Sequence, residues 1–169
     1  AKQRRLVSLM TAHINEREKN NHMMIDIQSH IVEFRNGESG KHMFHMDKVI
    51  QLLLDKIVQK TDKYPSLWQE RILIRTAAAL HDIGKIGIDE AILNKPGRLT
   101  AEEFESMKAH TTIGADMLRN LPRYQEERLL QIAIEICRWH HERYDGKGYP
   151  DGLVGDEIPI SAQLVSIAD

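Results

Sequence analysis

The stretch Ile72-Leu-Ile-Arg-Thr-Ala-Ala-Ala-Leu80-His81-Asp82 decides the fold. Its apolar residues cover most faces of a helix, the pattern of a central, buried helix rather than an amphipathic surface one. Tyr64-Pro65-Ser66 forms a turn ahead of it, with Ser66 placed to cap a helix from Leu67 to about His81. Ile83-Gly84-Lys85-Ile86-Gly87-Ile88 ends that helix. On the N-terminal side, Met46, Val49, Ile50, Leu53, Leu54, Ile57 and Val58 make a wide apolar stripe on another helix. It is entered after a break at Asn36-Gly37, with Gly40 near its start. Lys2 to about Phe34 has no glycine or proline, and Met24, Ile27, Ile31 and Phe34 follow a three-four rhythm. A polar run, Asn15 to Asn21, weakens any long seam there. On the C-terminal side, Asn94-Lys95-Pro96-Gly97 is a turn, and Thr100-Ala-Glu-Glu is a capping box opening a helix that carries His110. A short helix is expected from Thr112 to about Leu121, then a long amphipathic one from Glu126 to His141. Gly146, Gly148, Pro150, Gly152 and Gly155 make Arg143 to Pro159 an irregular loop before a final helix that ends at Asp169. Nothing alternates as a strand. The class is all-α.

The chain of 169 residues suits one domain with an appendage, and 41% hydrophobic with 28% charged residues is ordinary globular composition. A formal net charge of -2 gives no electrostatic footprint for long nucleic acid. No apolar run reaches membrane-span length and the start carries no secretory signal, so a cytoplasmic location is expected. The single cysteine, Cys137, lies among Ile132, Ile134 and Ile136 and is read as a small buried hydrophobe. The first helix starts in mid-rhythm at residue 1, as a piece of a longer protein would. It either packs on its own domain or serves as a signalling helix or coiled coil from an upstream sensor or receiver domain, with a homodimer through this helix as one consequence.

The chemistry lies in scattered imidazoles and acids: Glu38, His42, His81, Asp82, His110, His140, His141 and Asp169. Imidazole nitrogen and carboxylate oxygen together suit iron, manganese, zinc and nickel, and so many donors fit more than one ion. Glu38 and His42 share a helical face, which His45 extends, so spacing alone leaves His42 and His45 both open. Asp82 beside a core helix needs a compensating cation. Asp169 follows the apolar run Leu164-Val-Ser-Ile-Ala and makes the same demand. Lys85 stands one turn beyond His81. Taken singly, His42 or His110 is an ordinary hydrogen-bonded histidine, His140-His141 a helix C-cap and Lys85 a solvated lysine. Taken together, the set points to a metal-dependent hydrolase. His13, His22 and His30 have no useful companions and are given no role.

His81-Asp82-Ile83-Gly84-Lys85 resembles the His-Asp signature of the HD phosphohydrolase superfamily. The stretch His140-His141-Glu142-Arg143-Tyr144-Asp145-Gly146-Lys147-Gly148-Tyr149-Pro150 is similar to the motif that names its HD-GYP subfamily. Ile92 to Thr100, Met107 to His110 and Ser166 to Asp169 extend the resemblance, which runs from about Glu38 to Asp169. It implies a helical bundle around a multinuclear metal site, preceded by a long N-terminal helix. Residues 1–35 would be a linker or signalling helix and 36–169 the catalytic domain. It also implies His81, Asp82 (bridging), His110, His140, His141 and Asp169 as metal ligands, with Glu38 and His42 for a third ion, which favours His42 over His45. His81, Asp82 and Lys85 would be catalytic, with Lys85 touching substrate phosphate. Gly148, Tyr149 and Pro150 would shape a loop for substrate recognition and for contacts to diguanylate cyclase (GGDEF) domains. The activity implied is hydrolysis of cyclic di-GMP to pGpG and GMP by two or three divalent ions, iron or manganese first, with zinc, nickel or cobalt as substitutes. The family continues past its final aspartate with a basic helix, so the domain is read as C-terminally truncated. The alternatives are an HD hydrolase for another cyclic dinucleotide or phosphate ester, or a non-catalytic module binding a nucleotide or partner.

Overall fold

The computed structural model describes residues 2–35 and 41–169. Seven α-helices run through these residues: α1 (Lys2–Arg35), α2 (Lys41–Lys60), α3 (Leu67–Ala78), α4 (Glu90–Leu93), α5 (Ala101–Arg119), α6 (Arg128–Trp139) and α7 (Ile160–Ala168). Among the described residues there is no strand, only an isolated antiparallel bridge between Asp145 and Val154 that pins the two ends of the glycine-rich loop. The bundle is all-α, with the long N-terminal helix in place. The break at Asn36-Gly37, Gly40 and the candidate ligand Glu38 lie outside the described residues.

Each core helix contributes one buried stripe. α2 buries Met46, Ile50 and Leu54 at four-residue spacing, and α6 buries Ile132, Ala133, Ile136 and Cys137. They close on Ile74, Ala77 and Ala78 of α3 and Leu164 and Val165 of α7 in one cluster. The small alanines of α3 let it lie between α2 and α6, as the apolar stretch anticipates. Cys137 is fully buried and its thiol donates to the Leu80 carbonyl at 3.0 Å, while burial pushes its pKa up.

Several local expectations need correction. α3 stops at Ala78, because Leu80 and His81 bond back to Ala77 and Ala78, three residues before them, and a 3₁₀ turn (Ile83–Gly87) follows. Ser66 precedes α3 in an αR conformation and makes no side-chain cap. Thr112 opens no new helix: the hydroxyls of Thr111 and Thr112 bond to the Lys108 and Ala109 carbonyls at 2.9 and 3.0 Å, and α5 continues to Arg119. α6 is shorter than expected, with a 3₁₀ turn at Pro122–Tyr124 before it. The capping box is as anticipated, Thr100 Oγ1 accepting from the Glu103 amide at 3.2 Å and Glu103 from the Thr100 amide at 2.7 Å.

Candidate metal centre

Ending α3 early is what makes adjacent residues converge. On a regular helix neighbours point about 100° apart and do not share a target. In the tightened turn after α3, His81 and Asp82 both reach the centre of the bundle, and both are buried. The turn then presses against α5 through two glycines. A Cβ on Gly84 would collide with the His110 carbonyl and lie 2.5 Å from the Gly114 amide nitrogen, so no larger residue fits without displacing the backbone that carries His110.

Two triads of donors result. His110, His140 and His141 form one; His42, His81 and Asp169 form the other; within each, the donor atoms lie within 4.8 Å of one another. Asp82 stands between them. Its Oδ1 is 3.4 Å from His110 Nε2 and 3.9 Å from His140 Nε2, while its Oδ2 is 3.2 Å from His81 Nε2. Asp169 Oδ1 is 3.1 Å from His42 Nε2 and 3.7 Å from His81 Nε2. The Lys85 ammonium is 2.7 Å from Asp82 Oδ2. The expected donors among the described residues are therefore gathered at one place. His42 belongs to the second triad, whereas His45 is exposed and edges against Phe44.

The proton positions fit a cation. Nδ1 of His81 faces the Ala78 carbonyl at 2.9 Å, that of His110 the Met107 carbonyl at 2.7 Å, and that of His140 the Ile136 carbonyl at 2.9 Å. A carbonyl only accepts, so each Nδ1 carries hydrogen and each Nε2 is aimed at the centre, where it offers a lone pair whenever the ring is neutral. His110 Nε2 and His140 Nε2 thus face each other at 3.4 Å with no proton for either to share. The buried His81 Nε2 makes no well-aligned hydrogen bond, although Asp82 Oδ2 stands 3.2 Å away. These atoms fit divalent ions with imidazole and carboxylate ligands.

Electrostatics agree. Burial lowers His81, but Asp82 and Asp169 override it and raise it to about 10, so this end of the site calls for positive charge. Burial would raise the Asp82 carboxyl, yet His81 and Lys85 hold it well below the usual range. Burial pushes His141 down to about 4, helped by His110, and lowers His110 and His140 as well. Neutral imidazoles are the form that ligates.

The glycine-rich loop sits against the first triad. The Tyr149 ring stacks on His141 with centroids 4.8 Å apart at 26°, and burial raises its hydroxyl to about 12. Gly148 packs onto the backbone of Glu142 and Arg143, where a Cβ would not fit, and Pro150 follows Tyr149 through a cis peptide. Sequence reasoning missed what holds this loop. Glu142 is 2% exposed and accepts from the amides of Asp151 (2.7 Å), Gly152 (3.0 Å) and Leu153 (3.0 Å). Arg138 clamps Asp151 with two bonds of 2.8 Å, and Trp139 Nε1 adds a third. Phe104 and Lys108 were missed too: Phe104 meets the Tyr149 ring edge-on, and the Lys108 ammonium lies over both rings. An acid at the end of an apolar helix, Glu142 after His140-His141, was the available signal.

Residues 14–169 match the family model described as HD domain. The chain is 37% identical over 161 residues to the cyclic di-GMP phosphodiesterase response regulator RpfG of Xanthomonas campestris, covering 95% of this chain and 39% of that protein. It is 42% identical over 146 residues to a cyclic di-GMP phosphodiesterase of Thermotoga maritima, covering 86% of this chain and 37% of the relative. It is 34% identical over 176 residues to 3'3'-cGAMP-specific phosphodiesterase 2 of Vibrio cholerae, covering 98% and 32%. The chain thus spans about a third to two fifths of the length of these relatives.

Proposed function

Since the chain belongs to the HD-domain family and is of its HD-GYP type, we propose that it is a metal-dependent phosphodiesterase that hydrolyses cyclic di-GMP to pGpG and GMP. The observation that carries this reading is the Asp82 carboxylate standing between two donor triads, the layout of a two-ion site. His81, Asp82, His110, His140, His141, His42 and Asp169 would hold the ions, with Glu38 available for a third. Iron or manganese comes first, and zinc, nickel or cobalt suits the same donors. Bound divalent ions supply the Lewis acidity that activates water and offsets phosphoryl charge. The chain's own residues do the rest. Lys85, beside Asp82, offers its ammonium to a substrate phosphate. Tyr149, with Gly148 and Pro150 setting its loop, bounds the substrate side of His141.

Residues 1–35 act as a signalling helix and 36–169 as the catalytic output domain, in a cytoplasmic signalling protein with an upstream receiver or sensor. No described helix is long and apolar enough to cross a membrane. Met24, Ile27, Ile31 and Phe34 are all exposed on α1 at heptad spacing, which supports a homodimer through this helix. Contacts of the Tyr149 loop with GGDEF domains belong to the same reading. A second reading, another cyclic dinucleotide, is favoured by the relative named for 3'3'-cGAMP. The complete donor set speaks against a non-catalytic binding module. The test is the double variant His81→Ala with Asp82→Ala, loaded anaerobically with iron or manganese and assayed chromatographically on both cyclic dinucleotides. Loss of bound metal and of cleavage is expected; unchanged turnover would refute the proposal.

A further inference from the structure

α1 meets the rest of the described chain chiefly at the 3₁₀ turn Ile83–Gly87, the segment that carries Lys85. Val32 and Glu33 are buried against the bundle, His22 Nδ1 lies 3.0 Å from the Thr76 hydroxyl of α3, and a cleft of about 670 Å³ opens beside α1, lined by His22, Asp26 and His30 on one side and Phe44, Asp47 and Ile72 on the other. The contact at the turn is polar and specific. Arg35, the last residue of α1, sends Nη1 to the carbonyls of Lys85 (3.2 Å) and Ile86 (2.7 Å) and Nη2 to that of Ile88 (3.1 Å). Six residues earlier, the Ser29 hydroxyl donates to the Ala79 carbonyl, two residues ahead of His81. The C-terminal end of α1 therefore grips the chain on both sides of His81, Asp82 and Lys85.

We propose that Arg35 is a positioning residue: its guanidinium fixes the turn that presents Lys85 to the substrate phosphate, so that displacement of α1 is felt at Lys85 through this side chain. The geometry suits the task. A planar guanidinium can satisfy three carbonyls of a tight turn at once, which a lysine ammonium on a flexible stem cannot hold as rigidly. The turn rests on α5 through Gly84 on one side, and on the other the Arg35 guanidinium holds the carbonyls of its C-terminal half. Shift or rotation of α1 by an upstream domain would move Arg35 and relax the turn while leaving the donors carried by α2, α5, α6 and α7 (His42, His110, His140, His141 and Asp169) in place.

The proposal rests on the phosphodiesterase reading only for the role of Lys85, and the test separates the two. Arg35→Met and Arg35→Lys are compared with the parent chain for metal content, for kcat and KM on cyclic di-GMP and on a small chromogenic phosphodiester, and for hydrogen exchange at the Lys85 and Ile88 amides. Arg35→Met is expected to retain its metal, to exchange faster at those two amides, and to lose roughly ten- to a hundredfold in turnover, the scale of a displaced positioning group. Arg35→Lys should recover part of both effects. In a Lys85→Gln background the same change should still speed exchange but cost no further turnover, because non-additivity is the mark of action through a shared partner. Unchanged exchange in Arg35→Met, or an undiminished loss of turnover in the Lys85→Gln background, would overturn the proposal. If the parent chain cleaves neither substrate, the phosphodiesterase reading falls, and the exchange data still decide whether Arg35 holds the turn.

Discussion

Replacing Glu142 with alanine removes the acceptor for three backbone amides without touching any metal donor. The three bonds are short, 2.7, 3.0 and 3.0 Å, and converge on a side chain that is 2% exposed. Hydrogen bonds to charged groups contribute about 1.5–3 kcal/mol each. Their sum is an upper bound, because Asp151 is exposed and Gly152 and Leu153 are only partly covered, so water recovers much of it. A net loss of about 2–4 kcal/mol follows, equivalent to roughly 4–16 °C in melting temperature if the loop melts with the domain. The effect should also reach the metal. The Tyr149 amide donates to the His141 carbonyl at 3.2 Å and its ring covers the His141 imidazole, so a loosened loop frees a ligand. Thermal denaturation, exchange at the amides of 151–153 and calorimetric titration with manganese or zinc measure the three consequences. Glu142→Gln, which keeps one acceptor oxygen, should fall between. If Glu142→Ala melts with the parent chain and keeps its exchange pattern, the carboxylate is not what holds the loop.

Gly84→Ala should lower metal occupancy, because the new methyl displaces either the turn or the His110 backbone; a fully loaded variant with parental melting temperature would show that α5 can yield. The metal-free protein should have a stability optimum near neutral pH, and the signs are explicit. His141, lowered by burial and by His110 to about 4 from 6.5, binds fewer protons folded than unfolded, so stability is lost as pH falls from about 6.5 to 4. His81, lowered by burial but raised overall by Asp82 and Asp169 to about 10, contributes stability that is fully present below 6.5 and is lost as pH rises toward 10. Melting temperatures of chelated protein between pH 4 and 10 check both limbs, and a flat profile would contradict them.

The helices were legible where burial wrote a stripe, as in Met46, Ile50 and Leu54 on α2 or the Thr100 capping box on α5. Element boundaries near the site were not. The end of α3 depends on bonds from Leu80 and His81 to carbonyls three residues back, which no periodicity announces. The sequence suggests a separate helix from Thr112, yet the Thr112 hydroxyl is satisfied by the Ala109 carbonyl within α5. The candidate metal donors could be picked out by residue type, but their division into two triads could not, since it depends on where five segments meet. The loop supports were hidden for a similar reason: Glu142, Arg138 and Asp151 look like surface charges until the loop folds back over α6.

The two ends of the centre are chemically unlike, and among the described residues Asp82 is the only donor placed to serve both. One triad is three imidazoles, all lowered by burial and so neutral without help; the other mixes His42 and His81 with the Asp169 carboxylate. Imidazole-rich ligation favours late, borderline ions, and added carboxylate admits harder ones. In the absence of metal a proton on His81 can stand in at the carboxylate end, as its pKa of about 10 indicates, but nothing comparable relieves the facing lone pairs of His110 and His140. On the proposed metal reading, the imidazole end would need an ion to relieve this close approach, whereas the carboxylate end could exchange ion for proton. Lys85 and the turn gripped by Arg35 stand at Asp82, where the two ends join. A shift of that turn would act on the shared carboxylate before it reached either triad.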